Sequence, residues 1–487
     1  LLEPDSNSYY NQVYFDVEGE LDVEIMQKSF QKLCDIHQVF RTTFKYEDVE
    51  EPQQIILKKK IFNVGYTDLT SYPKAEREEK VKKFIFDDRL EGADFKNGIL
   101  MKVHIFKVDR NTFRFVWGCH HILLDGWCMA LIVKELFEIY ESYETGNENW
   151  PEEVPYSNYL KWLENDEHEE KCYEYWNKYL EEAPQTFEFP EKKDVVKGYA
   201  PAAYTFQITE DKFCNLKAAA SNAHVTVNAV IQSLWGILLC KYSNSNEAVW
   251  GSVTSGRSLN VRDVQKIIGL FINTMPMRIS YQNEDSIKDI LRKINKDVFM
   301  AEQFSHIQIA KLKENNGNNA NYFNHILAFE NLAITDMLDG ISFAGFKLNN
   351  VDFFDQTNYD LAVKMDPGKA LNIHFDYNSN KYDKALMMQI GKHFSRIVDL
   401  FLVNPDMKIC DIQLLDEEEK EKQFLPVYRS LTEKYSINLN VSNDSFIDKW
   451  YFETARKEKG FADIVKGLHV YGGKLVRPKE LYVIKAK

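Results

Sequence analysis

The stretch His120-His121-Ile122-Leu123-Leu124-Asp125-Gly126 lies where one periodicity ends and another begins, and that junction limits what the chain can build. From Phe113 to Cys119 the apolar residues Phe113, Phe115, Trp117 and Cys119 alternate at a spacing of two, as in a half-buried strand. Past Gly126, Met129, Ile132, Val133, Leu136, Phe137 and Tyr140 recur at helical spacing. Two histidines and an acid therefore share a strand-to-helix turn. Consecutive residues of extended backbone point to opposite faces, so while strand geometry persists only one histidine faces a given pocket.

The same patterns extend along the chain. Gln12 to Val17 reads as a strand, Val23 to His37 as an amphipathic helix, and Leu100 to Lys107 with Thr112 to Cys119 as a hairpin about Asp109-Arg110-Asn111. A charged helical stretch from Glu167 to Glu182 and a charged, Pro-bearing stretch from Pro184 to Lys197 read as a connection. The theme then repeats: strand Tyr204 to Ile208, helices Glu210 to Ser221 and Val227 to Tyr242, and strand Ala248 to Thr254. Strands at His325 to Phe329, Leu361 to Met365 and Leu371 to Tyr377 follow, with a closing helix Lys384 to Leu402. The Asn-rich run at 315 to 321 reads as a surface loop. Two similar mixed α/β lobes are expected, spanning 1–175 and 176–425.

Composition narrows the function classes. A net charge of −14 disfavours nucleic acid, whose phosphates need clustered Lys and Arg. From Pro426 onward there are 12 Lys plus Arg against 7 Asp plus Glu, which sets 426–487 apart as a basic tail of unknown role. Helical spacing over Asp444 to Glu458 and a hairpin about Gly472-Gly473 are its visible features. No apolar run approaches the roughly 20 residues of a membrane span. Seven cysteines without a Cys-x-x-Cys pair fit a reducing cytoplasm better than a disulfide framework or a zinc site. Adjacent histidines lack the i, i+4 geometry of a helical metal site, so no metal is expected. Neither a nucleophile elbow nor a phosphate-cradling Gly-rich loop is present.

The HHxxxDG pattern in this setting resembles the active-site motif of the condensation domains of nonribosomal peptide synthetases. Residues 36 to 44 are similar to that family's RHExLRTxF segment, with Ile36 and Gln38 as departures and Arg41, Thr42 and Phe44 retained. Tyr156, Tyr159 and Trp162 fall in its YxDYxxW segment, with Asn158 where Asp is usual. Gly269 to Arg278 matches GxFxNTxPxR. The resemblance runs from about Pro4 to about Leu415, and the family's opening Ser-x-Ala-Gln segment does not occur, which implies that the chain begins inside the domain.

The resemblance implies an α/β fold of two chloramphenicol-acetyltransferase-like lobes, a V-shaped pseudo-dimer with the active site in a tunnel between them. It implies peptide-bond formation between a donor thioester and an acceptor amine, with an L-configured donor residue. Upstream and downstream carrier proteins would deliver both substrates on phosphopantetheine arms, the chain itself holding no cofactor, and adenylation domains would be neighbours. An epimerisation domain, a silent docking module and a coenzyme A-dependent acyltransferase are the alternatives.

In this reading His121 faces the tunnel, holding the amine and accepting its proton, while His120 packs into the lobe. Asp125 either caps the helix or forms a buried ion pair with Arg278, and a carboxylate has oxygens enough for both. The Gly126 amide could donate to the oxyanion. Asn273 and Thr274 either line the tunnel or terminate a strand. Arg41 reads as a lobe-packing residue, Ser255-Gly256-Arg257 first as a turn, and Tyr156, Tyr159 and Trp162 as a helix face in the core.

Overall fold

The computed structural model describes residues 8–416 and 419, apart from 165, 185, 193, 283, 310, 313–321 and 331–337. The tail from 426, its expected helix and hairpin, and the Asn-rich run at 315 to 321 therefore lie outside the described residues.

Two six-stranded sheets carry the architecture. The first is built around β1 (Tyr10–Glu18), which pairs antiparallel with β6 (Thr112–His120); β6 in turn pairs with β5 (Met101–Asp109), and β4 (Val64–Asp68) lies parallel on the edge. Alternation sorts the side chains of β1 and β6. Val13, Phe15, Phe115 and Trp117 face a core shared with α1 (Val23–Ile36) and α3 (Gly126–Thr145). Val116, on the opposite face, packs with Val81 and Ile85 of α2 (Lys74–Glu91). The start of α1 is fixed by Asp22, whose carboxylate accepts from the amides of Glu24 and Ile25 at 2.8 and 3.1 Å. Met26, Phe30 and Leu33 then fall on one face and are buried, each contributing about 1.5–3 kcal/mol of apolar transfer.

The second sheet has the order β7, β14, β13, β10, β8, β9 in chain numbering: β7 (Pro201–Ile208), β8 (Glu247–Thr254), β9 (Asn273–Ser280), β10 (His325–Phe329), β13 (Leu361–Pro367) and β14 (Leu371–Asn378). Its core packs against α7 (Val227–Ser243), α8 (Ile287–Gln303) and the closing helix α9 (Lys384–Val403). α7 is apolar on nearly every side because it is buried on nearly every side, with Trp235 and Ile231 fully enclosed. Among the described residues no single helix is long and apolar enough to cross a membrane.

The sheets do not follow the expected division at residue 175. Strands β11 (Ser342–Phe343) and β12 (Phe346–Phe354) leave the second half of the chain and complete the first sheet, β12 pairing antiparallel with β1. Between the sheets in sequence come α4 (Ser157–Leu163) and α5 (Asp166–Tyr179). Tyr159 of α4 joins Phe271 in a small cluster, with Tyr156 and Trp162 packed against it.

Candidate active site

Strand β6 ends at His120, and one further main-chain bond ties the turn to the residue before β1: the His121 amide donates to the Tyr9 carbonyl at 2.7 Å. Alternation within β6 puts Trp117 and Cys119 on one face and His120 on the other, and His121 follows as the first residue of a turn in which the His120 carbonyl accepts from the Leu123 amide at 3.1 Å. Cys119 and Trp117 line a narrow pocket together with Leu124, Asp125 and Gly126 from the turn and the start of α3. The His120 ring packs edge-on against Phe95 at 4.8 Å, and its Nδ1 accepts from the Ile122 amide at 3.1 Å. Burial, together with the neighbouring His121, lowers the His120 pKa to about 4, so its ring is neutral and an acceptor at neutral pH.

Asp125 is the N-cap of α3 and accepts from the Cys128 amide at 3.3 Å. It is also 1% exposed and ion-paired, so capping and pairing hold together, but its partner is Arg257. One terminal nitrogen of Arg257 lies 3.1 and 3.2 Å from the two carboxylate oxygens. The Phe271 amide donates to the second oxygen at 3.1 Å. Arg257 is itself 4% exposed. Its other terminal nitrogen donates to the carbonyls of Val264 and Ile267 at 2.9 and 3.0 Å, and its guanidinium lies over the Phe271 ring at 4.2 Å. A buried pair needs such a surround, because taking two charges out of water otherwise costs more than their attraction returns.

Cys128 completes the seam. Its thiol lies 3.1 Å from Asp125 Oδ1 and 3.2 Å from the Gly269 carbonyl, and it accepts from the Gly269 amide at 3.3 Å. Burial, then the Asp125 charge, raise its pKa well above the ordinary thiol value. The fit is close on the second-sheet side as well. Gly256 has φ +63, and a Cβ there would meet the Phe271 carbonyl oxygen at 2.0 Å. A Cβ on Gly269 would meet the Tyr156 ring at 2.1 Å, while the Tyr156 hydroxyl donates to the Leu270 carbonyl at 2.6 Å.

A family model of the condensation domain matches residues 1–424. The chain belongs to the condensation domain family. It is 32% identical over 439 residues to Gramicidin S synthase 2 of Brevibacillus brevis, covering 89% of this chain and 10% of that protein. It is 30% identical over 425 residues to Surfactin synthase subunit 3 of Bacillus subtilis (strain 168), covering 86% of this chain and 33% of that one. The chain thus spans about a tenth to a third of the length of these relatives. Its fold is similar to a four-domain nonribosomal peptide synthetase bound to AMP and glycine, with a TM-score of 0.73 at 15% identity over 90% of this chain and 35% of that one. The X-domain from teicoplanin biosynthesis is similar at a TM-score of 0.74 and 16% identity, over 84% of this chain and 94% of that one.

Within this condensation domain the turn brings His120, His121, Asp125 and Gly126 together, whereas Arg278 and Arg41 make their bonds elsewhere. Arg278 does not pair with Asp125. It bonds Glu247 at 3.0 Å and the Glu181 carbonyl at 2.8 Å, five residues along β9 from Asn273, or roughly 17 Å. Asn273 stands at the end of β9 as its first residue, and its side-chain amide donates to the carbonyls of Ser305 and Ile307 at 2.7 and 2.9 Å, fastening that loop. Arg41 stays within the first lobe, donating to the carbonyls of Cys34 and Leu57 at 3.0 and 2.7 Å, so it supports structure rather than lining the pocket. The residue that sequence reasoning passed over is Arg257. The Ser255-Gly256-Arg257 segment was readable as a turn, and the positive φ at Gly256 is that turn; what was missed is the arginine it delivers to the seam.

Proposed function

We propose that this domain joins a donor aminoacyl or peptidyl thioester to the α-amine of an acceptor aminoacyl thioester. Both would arrive on phosphopantetheine arms of an upstream and a downstream carrier protein, with adenylation domains as neighbours and no cofactor held by the chain. The observation that carries this reading is the turn itself: His121 directly after β6 and Gly126 at the start of α3, with Asp125 between them in sequence and clamped by Arg257. The amine attacks the thioester carbon, giving an adduct with an alkoxide and an ammonium. His121 accepts the ammonium proton. The carbonyl re-forms as the carbon–sulfur bond breaks, and the departing thiolate takes up the proton from His121, so no net proton is consumed. The Gly126 amide, in the first turn of α3 where backbone N–H groups are unpaired, is suited to donate to the alkoxide.

Asp125 in this mechanism positions rather than transfers. Its two oxygens are already engaged by Arg257, Cys128 and Phe271, so it sets the turn and the helix origin on which His121 and Gly126 depend. Holding amine and thioester in contact supplies much of the rate, since thioester aminolysis is downhill and an α-amine near pKa 8 is partly neutral. An L-configured donor residue is part of the proposal, resting on Asp125-Gly126-Trp127-Cys128-Met129 and Leu270 to Pro276. So is a cytoplasmic setting, which seven free cysteines fit.

The test is product formation with two loaded carrier proteins against the same acyl group on coenzyme A. Dipeptidyl thioester on the acceptor carrier, and none from acyl-coenzyme A, supports the reading. Turnover of acyl-coenzyme A, or inversion of a single tethered residue, would replace it with the acyltransferase or the epimerase.

A further inference from the structure

The pocket beside the histidine turn holds two polar atoms that the chain does not satisfy. Asn11 and Trp117 both line it and are 7% and 1% exposed. Neither Asn11 Oδ1 nor the Trp117 Nε1–H has a hydrogen-bond partner among the described residues. Buried polar groups are nearly always paired, so each such atom asks for an explanation. Register brings the two together: Asn11 pairs with Cys119 and Val13 with Trp117, so Asn11 and Trp117 are diagonal neighbours on one face, roughly 7 Å apart. The Trp117 ring is held edge-on by Phe30 at 5.1 Å. Val13, Leu124, Met129 and Phe353 make the rest of the wall apolar. The histidine turn begins just past Cys119, where the His121 amide donates to the carbonyl of Tyr9, two residues before Asn11.

We propose that this pocket receives the hydroxymethyl side chain of an acceptor serine, whose hydroxyl donates to Asn11 Oδ1 and accepts from Trp117 Nε1–H. The inference rests on the condensation reading above. An amide oxygen only accepts and an indole N–H only donates; one atom that does both at once is a hydroxyl oxygen. An ammonium only donates, a carboxylate only accepts, and a methyl does neither. The pocket has room for about one water-sized group, the size of the hydroxyl itself, and excludes an aromatic or long aliphatic side chain. The acceptor is the substrate concerned, because its side chain hangs from the same carbon as the amine that His121 relieves of a proton. Asp125 also borders the pocket, but Arg257 neutralises it there. Specificity follows from a penalty: a methyl in place of the hydroxyl would cover both polar atoms and leave them unpaired.

Water carries the same hydroxyl chemistry, and binding separates the two sources. Seryl- and alanyl-pantetheine amides, which keep the amine but cannot act as thioesters, are titrated calorimetrically into the whole chain. Binding of the seryl compound about tenfold or more tighter is expected. Trp117→Phe, which keeps an aromatic ring but removes the N–H, and Asn11→Leu should each bring the ratio toward one by loss on the seryl side. Thermal melts report whether each variant folds, and either one suffices for the comparison. Equal affinities in the unmutated chain, as a resident water would give, or a ratio untouched in the folded variants, overturn the proposal. Turnover with seryl- and alanyl-loaded acceptor carriers keeps the two readings apart. Product from both at equal rates removes the serine pocket alone, whereas no product from any acceptor removes the condensation reading while the binding ratio still decides the pocket.

Discussion

Asp125 and Arg257, 132 residues apart in sequence, meet at the seam between the sheets, with one guanidinium nitrogen 3.1 and 3.2 Å from the two carboxylate oxygens and both residues almost fully buried. Removing either leaves an uncompensated buried charge, worth about 3–5 kcal/mol. Asp125→Ala and Arg257→Ala should each lower the unfolding midpoint strongly, and the double variant should be far less destabilised than the two singles added. Arg278→Ala should cost less, about 1–3 kcal/mol, through its pair with Glu247 and its bonds to the carbonyls of Tyr179, Glu181 and Glu182, and add simply to Asp125→Ala. Additivity of Asp125 with Arg257, measured by urea unfolding, would refute the pairing.

The two histidines should separate in kind of defect. His121→Ala should leave a cooperative fold and remove most condensation, on the order of the 10²–10⁴-fold that a positioned acid–base group supplies. His120→Ala should first show lowered stability, since its ring packs on Phe95 and accepts from the Ile122 amide. Near-normal turnover of His121→Ala with loaded carrier proteins would be inconsistent with its proposed part.

Acid should unfold the domain partly through histidine. His120 and His306 are held to about 4 and His325 to about 3, each chiefly by burial, against about 6.5 in the unfolded chain. The folded state therefore resists protons that the unfolded state binds, so stability is intact above pH 6.5 and falls as pH drops from 6.5 toward 4. For His120 the loss reaches up to about 3 kcal/mol. His120→Asn should flatten the fall of melting temperature across that window relative to the unmutated chain; an unchanged slope would show that His120 is not buried neutral.

Thiol reagents report on the seam directly. Cys214 is exposed and Cys410 half-buried, whereas Cys128 is fully enclosed with its thiol pKa raised by burial. Alkylation of the native protein should modify Cys214 first and spare Cys128 until denaturant is added, as peptide mass mapping would show. Early labelling of Cys128 would mean that the seam opens readily.

The strand, the turn and the helix around His120 to Gly126 were legible because each is written locally: alternation gives the facing of His120, helical spacing gives α3, and an Asp before a helix gives the cap. The identity of Asp125's partner was not legible, since the second half holds several arginines and only the packing of β8 against β9 decides between them. Arg278 lies at the far end of that strand pair, while Arg257 leaves the near end through the tight turn at Gly256. Strand β12 escaped notice for a related reason. Phe346, Leu348 and Val351 carry a readable apolar pattern, but nothing near them says that their partner is β1.

That exchange ties the order of synthesis to the order of assembly. β1 lies between β6 and β12, and β12, which begins at Phe346, emerges from the ribosome long after β1 and β6, which end at Glu18 and His120. Until then one side of β1 is a free edge, with a row of unpaired amides and carbonyls next to Val13 and Phe15, a template for adventitious pairing. A nascent chain halted before residue 346 can form its histidine turn but cannot close the first sheet, so fragments ending at the apparent boundary near 175 should associate or precipitate rather than persist as monomers.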